Sequence, residues 1–245
     1  MESKKPKIAV TVIKFTVFIV IFTLIVAAFY LFGRKLLEKR LPASLNANDI
    51  TVIIDAGHGG RDGGTVGVDG VSIEKDLNLD ISLMICDMLK NSGVNVVMTR
   101  ADDISLTDAE VGGSRKSQDL SARLKIAESA ANPLFVSIHM NAFPIEKYSG
   151  TQVYYSTNDE NSKSLANLLQ NNVKSLLQND NYRKIKPANS NIYVLDKITC
   201  PAVLIECGFL SNNEECAKLA DRKYRKKLAF VISSTIIEYI YSVGS

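Results

Sequence analysis

Residues 51–64, Thr51-Val52-Ile53-Ile54-Asp55-Ala56-Gly57-His58-Gly59-Gly60-Arg61-Asp62-Gly63-Gly64 (TVIIDAGHGGRDGG), join an apolar run to a loop in which five glycines surround one histidine. The run is continuous rather than alternating, which suits a strand buried on both faces. Glycine permits sharp turns and close backbone approach. The loop therefore reads as a device that exposes the His58 imidazole at a strand end and keeps the backbone out of its way. A phosphate-binding loop uses similar ingredients. Its G-x-G-x-x-G spacing fails here, because from Gly57 and Gly59 the sixth position is Asp62. No helical pattern begins there and no G-K-[ST] occurs, so the helix N-terminus that binds phosphate is missing.

Outward from this stretch, further short apolar runs read as strands: 94–99 (VNVVMT), 134–139 (LFVSIH), 151–155 (TQVYY) and 202–206 (AVLIE), with 191–195 (NIYVL) as a possible sixth. Helical spacing lies between them. Leu77, Ile81, Met84, Ile85, Met88 and Leu89 form one stripe, ended by Gly93. Others run through Leu120, Leu124 and Ala127, from Leu165 to Leu177, and from Leu228 to Ile240. Strands alternating with helices predict a single α/β domain over 50–245, with a mainly parallel mixed sheet of about six strands flanked by helices. Residues 108–118 (DAEVGGSRKSQ) read as a loop.

The N-terminal part differs in kind. Phe15 to Phe32 is 18 residues without a charge. As a helix it would span roughly 27 Å, close to a hydrocarbon core of about 30 Å. A signal peptide competes, with "VAA" at 26–28 as its cleavage site, but the apolar run continues as "FYLF". Residues 1–40 are read as an uncleaved membrane anchor with basic flanks, and 41–49 as the linker proper of a charged and polar stretch that begins at Arg34. Four basic residues lie on each side, so charge does not set the orientation. Either reading puts the body at or outside the membrane. The chain has 29 Lys and Arg against 26 Asp and Glu; residues 1–40 hold eight bases and two acids, leaving 21 and 24 in the body, a net of −3. The basic balance belongs to the anchor and gives no case for nucleic-acid binding. Cys86, Cys200, Cys207 and Cys216 form no C-x-x-C pair. They read as buried thiols, although an exported chain could pair two of them.

Only two histidines occur, His58 and His139, and each follows an apolar strand. Ligands of open α/β sheets bind outside the carboxyl ends of strands. Two acids share that geometry. Glu206 ends AVLIE, and Glu74 opens the first helix, where a favourable N-terminal charge would also explain it. Two imidazoles and a carboxylate form a catalytic zinc set with a position left for water. A separate carboxylate can then take the proton of that water.

The blocks IIDAGHGGRDGG, EKDLNL, FVSIHMNA and PAVLIECGFLSN resemble, in order and spacing, the signature blocks of the zinc-dependent N-acetylmuramoyl-L-alanine amidases. The resemblance covers about 50–241. It implies that His58, Glu74 and His139 bind Zn²⁺ and that Glu206 is the catalytic glutamate. Asn141 and Ala142 complete one block, and Arg100 and Arg123 stand at recurrent arginine positions without an assigned role. The implied reaction cuts the amide between the lactyl group of N-acetylmuramic acid and the L-alanine of the peptidoglycan stem peptide. GRDGGTVGVDG, the short anchor and the lack of wall-binding repeats favour the compact variety that acts on spore cortex. That variety would work at the forespore membrane or in the cortex space, with a polysaccharide deacetylase as functional partner on the route to the muramic lactam of germination. Loop 108–118 is longer than the family pattern leads one to expect and could dock an accessory protein. Two rivals stand beside this reading. A zinc peptidase cutting within the stem peptide would use the same metal, but H-E-x-x-H is absent. A catalytically silent wall-binding protein would have no use for the base at Glu206.

Overall fold

The computed structural model describes residues 5–40, 50–107 and 115–243. Helix α1 (Lys5–Arg40) belongs to one compact unit and the body forms another. Within α1, Ile13–Leu31 is 19 residues long with a mean hydropathy of 2.4, and none of it is buried. It is long and apolar enough to cross a membrane. The helix continues through 34–40, the basic flank of the expected anchor; the linker expected at 41–49 lies outside the described residues.

The body follows the order β1 (Thr51–Ala56), α2 (Glu74–Asn91), β2 (Asn95–Met98), α3 (Arg115–Glu128), β3 (Pro133–Asn141), β4 (Gln152–Tyr155), α4 (Asn161–Leu176), β5 (Lys186–Pro187), α5 (Tyr193–Lys197), β6 (Ala202–Phe209), α6 (Asn213–Ala220) and α7 (Arg222–Val243). The six strands lie in the order β2-β1-β3-β6-β4-β5. All neighbours are parallel except β4, which runs antiparallel to β6. The sheet is therefore mixed and mainly parallel, as its continuous apolar runs require.

Two apolar layers close it. Val52, Ile54, Val136, Ile138, Val203 and Ile205 pack with α2, α4, α6 and α7 on one face. Ile53, Phe135, Ala202 and Leu204 meet Ala127 of α3 and Val194 and Leu195 of α5 on the other. Each fully buried side chain of this kind contributes roughly 1.5–3 kcal/mol.

Two sequence expectations change. Residues 191–195 do not form the sixth strand, because 193–197 are the helical turn α5. Val194 and Leu195 are consecutive and both buried in the same layer, whereas a strand would send them to opposite sides. The sixth strand is instead the two-residue β5. The loop expected over 108–118 is helical from Arg115 onward, and 108–114 lie outside the described residues. All four cysteines are free thiols, three of them buried.

Candidate metal centre

β1 ends at Ala56, and the chain turns through Gly57 into His58, whose φ of +61° is in the left-handed region that side chains rarely adopt. Two buried arginines hold this turn. Arg123 of α3 donates to Ala56 O at 2.8 Å and to His58 O at 2.7 Å, and is itself held by Asp55 at 2.5 Å and Asp119 at 2.8 Å. Arg100 donates to Ala56 O at 2.9 Å, Gly57 O at 2.9 Å and Lys75 O at 2.8 Å. It thereby ties the His58 loop to the first turn of α2, where Glu74 sits. Their planar forks suit such multiple contacts. Both arginines act on the backbone, a role that sequence left unassigned.

The glycines are explained by contact. A Cβ on Gly57 would lie 2.3 Å from the His139 ring, and one on Gly64 would lie 2.5 Å from Glu74 Oε2. The bare backbone is what allows two imidazoles and a carboxylate to meet.

His139 comes from β3 and Glu206 from β6, and the two are register partners, so their side chains emerge on the same face. Glu74 Oε1 lies 3.1 Å from His58 Nε2 and 3.1 Å from His139 Nδ1. It also accepts from Met140 N at 3.1 Å, while Oε2 accepts from Thr65 N at 2.9 Å. The three candidate donor atoms lie within 4.8 Å of one another. Ligand atoms about 2.0–2.1 Å from a shared tetrahedral ion sit roughly 3.3–3.4 Å apart. The donor set and its spacing fit a zinc-sized cation. Asp62 Oδ2 lies 2.9 Å from His58 Nδ1, an ion-pair approach whose geometry falls short of a hydrogen bond. Sequence reasoning noted Asp62 only as a polar loop residue. Its position at i+4 from His58 in a glycine-rich turn was the available signal.

The electrostatics agree with the donor set. Burial alone would raise the Glu74 pKa, but the two imidazoles outweigh it and hold the carboxyl far below its usual range. Burial would likewise lower His58, and Glu74 and Asp62 reverse the sign. The cluster favours positive charge at its centre. Glu206 behaves oppositely. Burial pushes its carboxyl up to about 7, with His139 and His58 lowering it and Glu74 raising it. Its Oε2 is sealed from solvent and has no hydrogen-bond partner among the described residues. A carboxyl near neutrality beside a cation site is suited to proton transfer.

His58, His139 and Glu206 open onto a cavity of about 880 Å³ whose walls come from the sheet, α3 and the segment 191–195. Asp55, Ser137 and Leu204 form its floor, and Arg61, Arg115 and Lys116 are among its charged lining. The four residues expected from sequence thus converge at one edge of the sheet.

Residues 52–238 match the N-acetylmuramoyl-L-alanine amidase family, Amidase_3. The germination-specific N-acetylmuramoyl-L-alanine amidase of Bacillus subtilis (strain 168) is 37% identical over 205 residues, covering 83% of this chain and 85% of that protein. The CwlD amidase from Clostridioides difficile, solved in complex with the GerS lipoprotein, aligns with a TM-score of 0.73 and 42% identity over 79% of this chain and 98% of that one. AmiC2 of Nostoc punctiforme aligns with a TM-score of 0.66 and 31% identity over 78% and 97%.

Proposed function

Because the chain belongs to the N-acetylmuramoyl-L-alanine amidase family and is a hydrolase acting on peptidoglycan, we propose that His58, Glu74 and His139 hold a zinc ion and that Glu206 is the general base. The observation that carries this is the convergence of two ring nitrogens on Glu74 Oε1 beside the unpartnered Glu206 Oε2. Zinc bound there would act as a Lewis acid on the scissile carbonyl and lower the pKa of water to about 7. Glu206 takes the proton of the attacking water. It returns that proton to the departing L-alanine nitrogen as the C–N bond breaks, leaving a lactyl carboxylate and a free amine. The Asp62 carboxylate, close to His58 Nδ1, favours a proton there and leaves Nε2 free to face the cluster. Arg100 and Arg123 hold the loop that carries it.

The biological reading follows from the chemistry and from the germination-specific relative. While the lactyl carboxyl is tied up as an amide it cannot close on the sugar nitrogen. Its release, followed by deacetylation of that nitrogen, permits muramic lactam. A polysaccharide deacetylase is therefore the functional partner, and spore cortex is the site of action. Residues 1–40 anchor the body outside the membrane, in the space between forespore membrane and cortex. The solved relative bound to a lipoprotein supports an accessory protein for this chain too.

Two measurements on the full chain test the chemistry. Digestion of purified wall should release N-terminal L-alanine; other new amines indicate a peptidase, and none indicates a binder. Metal analysis should find one zinc per chain, lost together with activity in His58→Ala and His139→Ala. Full zinc occupancy in both variants would overturn the ligand set.

A further inference from the structure

Peptidoglycan has two parts of different topology. The glycan strand continues in both directions, whereas the stem peptide is a branch. The cavity behind the metal cluster, about 880 Å³ and walled by the sheet, α3 and residues 191–195, suits a branch. A continuous strand runs on past such a cavity in both directions and needs open surface alongside.

Outside that cavity, the loop after β3 presents Phe143 and Tyr148, 46% and 36% exposed, with ring centroids 5.0 Å apart in a T-shaped pair. Phe143 is four residues beyond His139, so the chain keeps it within about 15 Å of that residue. Aromatic rings serve at binding surfaces because one side is apolar and an edge can stay wet, and here the pair is held in place. Tyr148 lies 6.4 Å from Phe209 of β6, and the Arg183 guanidinium lies over both rings, 4.4 Å from Phe209 and 5.7 Å from Tyr148. Lys147 Nζ also lies over Tyr148 at 5.7 Å, so the Phe143 face is the less occupied of the exposed pair. Arg183 is fixed by Ser149 O at 2.7 Å and Gln152 Oε1 at 2.8 Å. Phe143 N donates to Ser211 Oγ at 2.9 Å, and Asn212 Nδ2 donates to Glu146 O at 2.7 Å, pinning the loop to the segment after β6. Next to the rings is a shallow depression of about 370 Å³ lined by Glu146, Lys147, Asn212, Asn213 and Glu214.

Resting on the amidase reading above, we propose that Phe143 and Tyr148, with this polar depression, form a sugar-binding platform that seats the glycan strand beside the cleaved unit. A pyranose ring offers C–H bonds on its faces and hydroxyl or acetamido groups at its rim. The negative faces of aromatic rings take the first. Carboxylate, ammonium and amide groups within reach take the second. A lipid or an apolar protein surface would call for a broader apolar patch without charged groups set into it. Rigidity before binding lowers the ordering cost of holding a polymer.

The test titrates the full chain, in detergent micelles, with peptide-free glycan strands by calorimetry. It also compares hydrolysis of wall polymer with hydrolysis of a single-sugar N-acetylmuramoyl peptide. The double variant Phe143→Ala, Tyr148→Ala should bind glycan about tenfold more weakly, and its polymer-to-single-sugar ratio of kcat/KM should fall about tenfold. Phe143→Leu, which keeps apolar bulk but loses the ring face, should move both readouts in the same direction with the fold intact, and Phe143→Tyr should retain both. Unchanged glycan affinity, or an equal loss on both substrates, overturns the platform. If the unaltered chain cleaves neither substrate yet loses glycan affinity in the double variant, the platform stands and the catalytic reading fails.

Discussion

The two faces of the central strands share a backbone but not a task. Along β3, Val136, Ile138 and Met140 point into the layer under α2, α4 and α7 and remain apolar to the end of the strand. The alternate residues begin apolar with Phe135 and then change to Ser137 and His139. β6 repeats this, with Val203, Ile205 and Cys207 on one side and Leu204 followed by Glu206 on the other. β1 does so with Ile54 and Ala56 against Ile53 and Asp55. One face supplies stability along its whole length. The other is packed for half its length and then carries the candidate site. The period of two lets a strand do both at once.

The largest expected effect lies on the polar face. Glu206→Gln preserves size and one carbonyl acceptor but removes the proposed base, so turnover should fall by about 10²–10⁴, with zinc content and circular dichroism unchanged. Turnover near that of the unaltered chain would place proton transfer on another group. The polar face would then owe its character to the metal alone.

This division also governs how much was legible in sequence. Strands buried on both faces advertise themselves as unbroken apolar runs, so β1, β3, β4 and β6 were recognisable to within a few residues, as was the edge strand β2, whose apolar run is half-exposed. β5 is two residues, Lys186 and Pro187, with no apolar signal to read. The neighbouring NIYVL looked like a strand and packs as a helical turn, because tertiary burial of adjacent Val194 and Leu195 outweighed local preference. α6, eight residues long and polar on its exposed side, was not foreseen. At the candidate site, sequence singled out His58, His139, Glu74 and Glu206, and the structure brings them together, although β3 runs on to Asn141 past His139 and β6 on to Phe209 past Glu206. The support around them was not legible. Asp55 and Arg123 are 68 positions apart, and nothing local to either announces the pair. Nor does sequence show that an arginine serves backbone carbonyls.

That hidden support gives the next prediction. Asp55 is buried and accepts from Thr99 at 2.7 Å, Ser137 at 2.6 Å and Arg123. Burial alone would raise its pKa; Arg123, with the two hydroxyls, outweighs burial and sets it below the ordinary value. A depressed folded-state pKa stabilises the fold above the unfolded value of about 3.9. That contribution is lost as pH falls through the folded pKa. Across this window the loss is at most about 1.4 kcal/mol per pH unit. Asp55→Asn lacks it, so the stability gap between the two proteins should narrow as pH falls below about 4. Chemical denaturation at stepped pH measures this. A gap that stays constant would mean that the Asp55–Arg123 pair contributes nothing that depends on charge.

The smallest effect belongs to the residue one position before a proposed ligand. Ile138 is fully buried on the apolar face and its side chain points away from His139. Ile138→Val removes one methylene, retains β-branching and leaves a small void, for which about 0.5–1.5 kcal/mol of stability should be lost. The backbone at this point is tied on both sides: Ile138 is paired with Ala56 and with Ile205, and its carbonyl accepts from Gly57 N at 3.1 Å. The void should therefore be absorbed among side chains of the helical layer and not passed to the sheet. Zinc affinity and kcat should then stay within error of the unaltered chain while the denaturation midpoint moves. If zinc affinity fell with stability instead, the two faces would be mechanically coupled through the strand, and the apolar layer would have to be counted as part of the metal site.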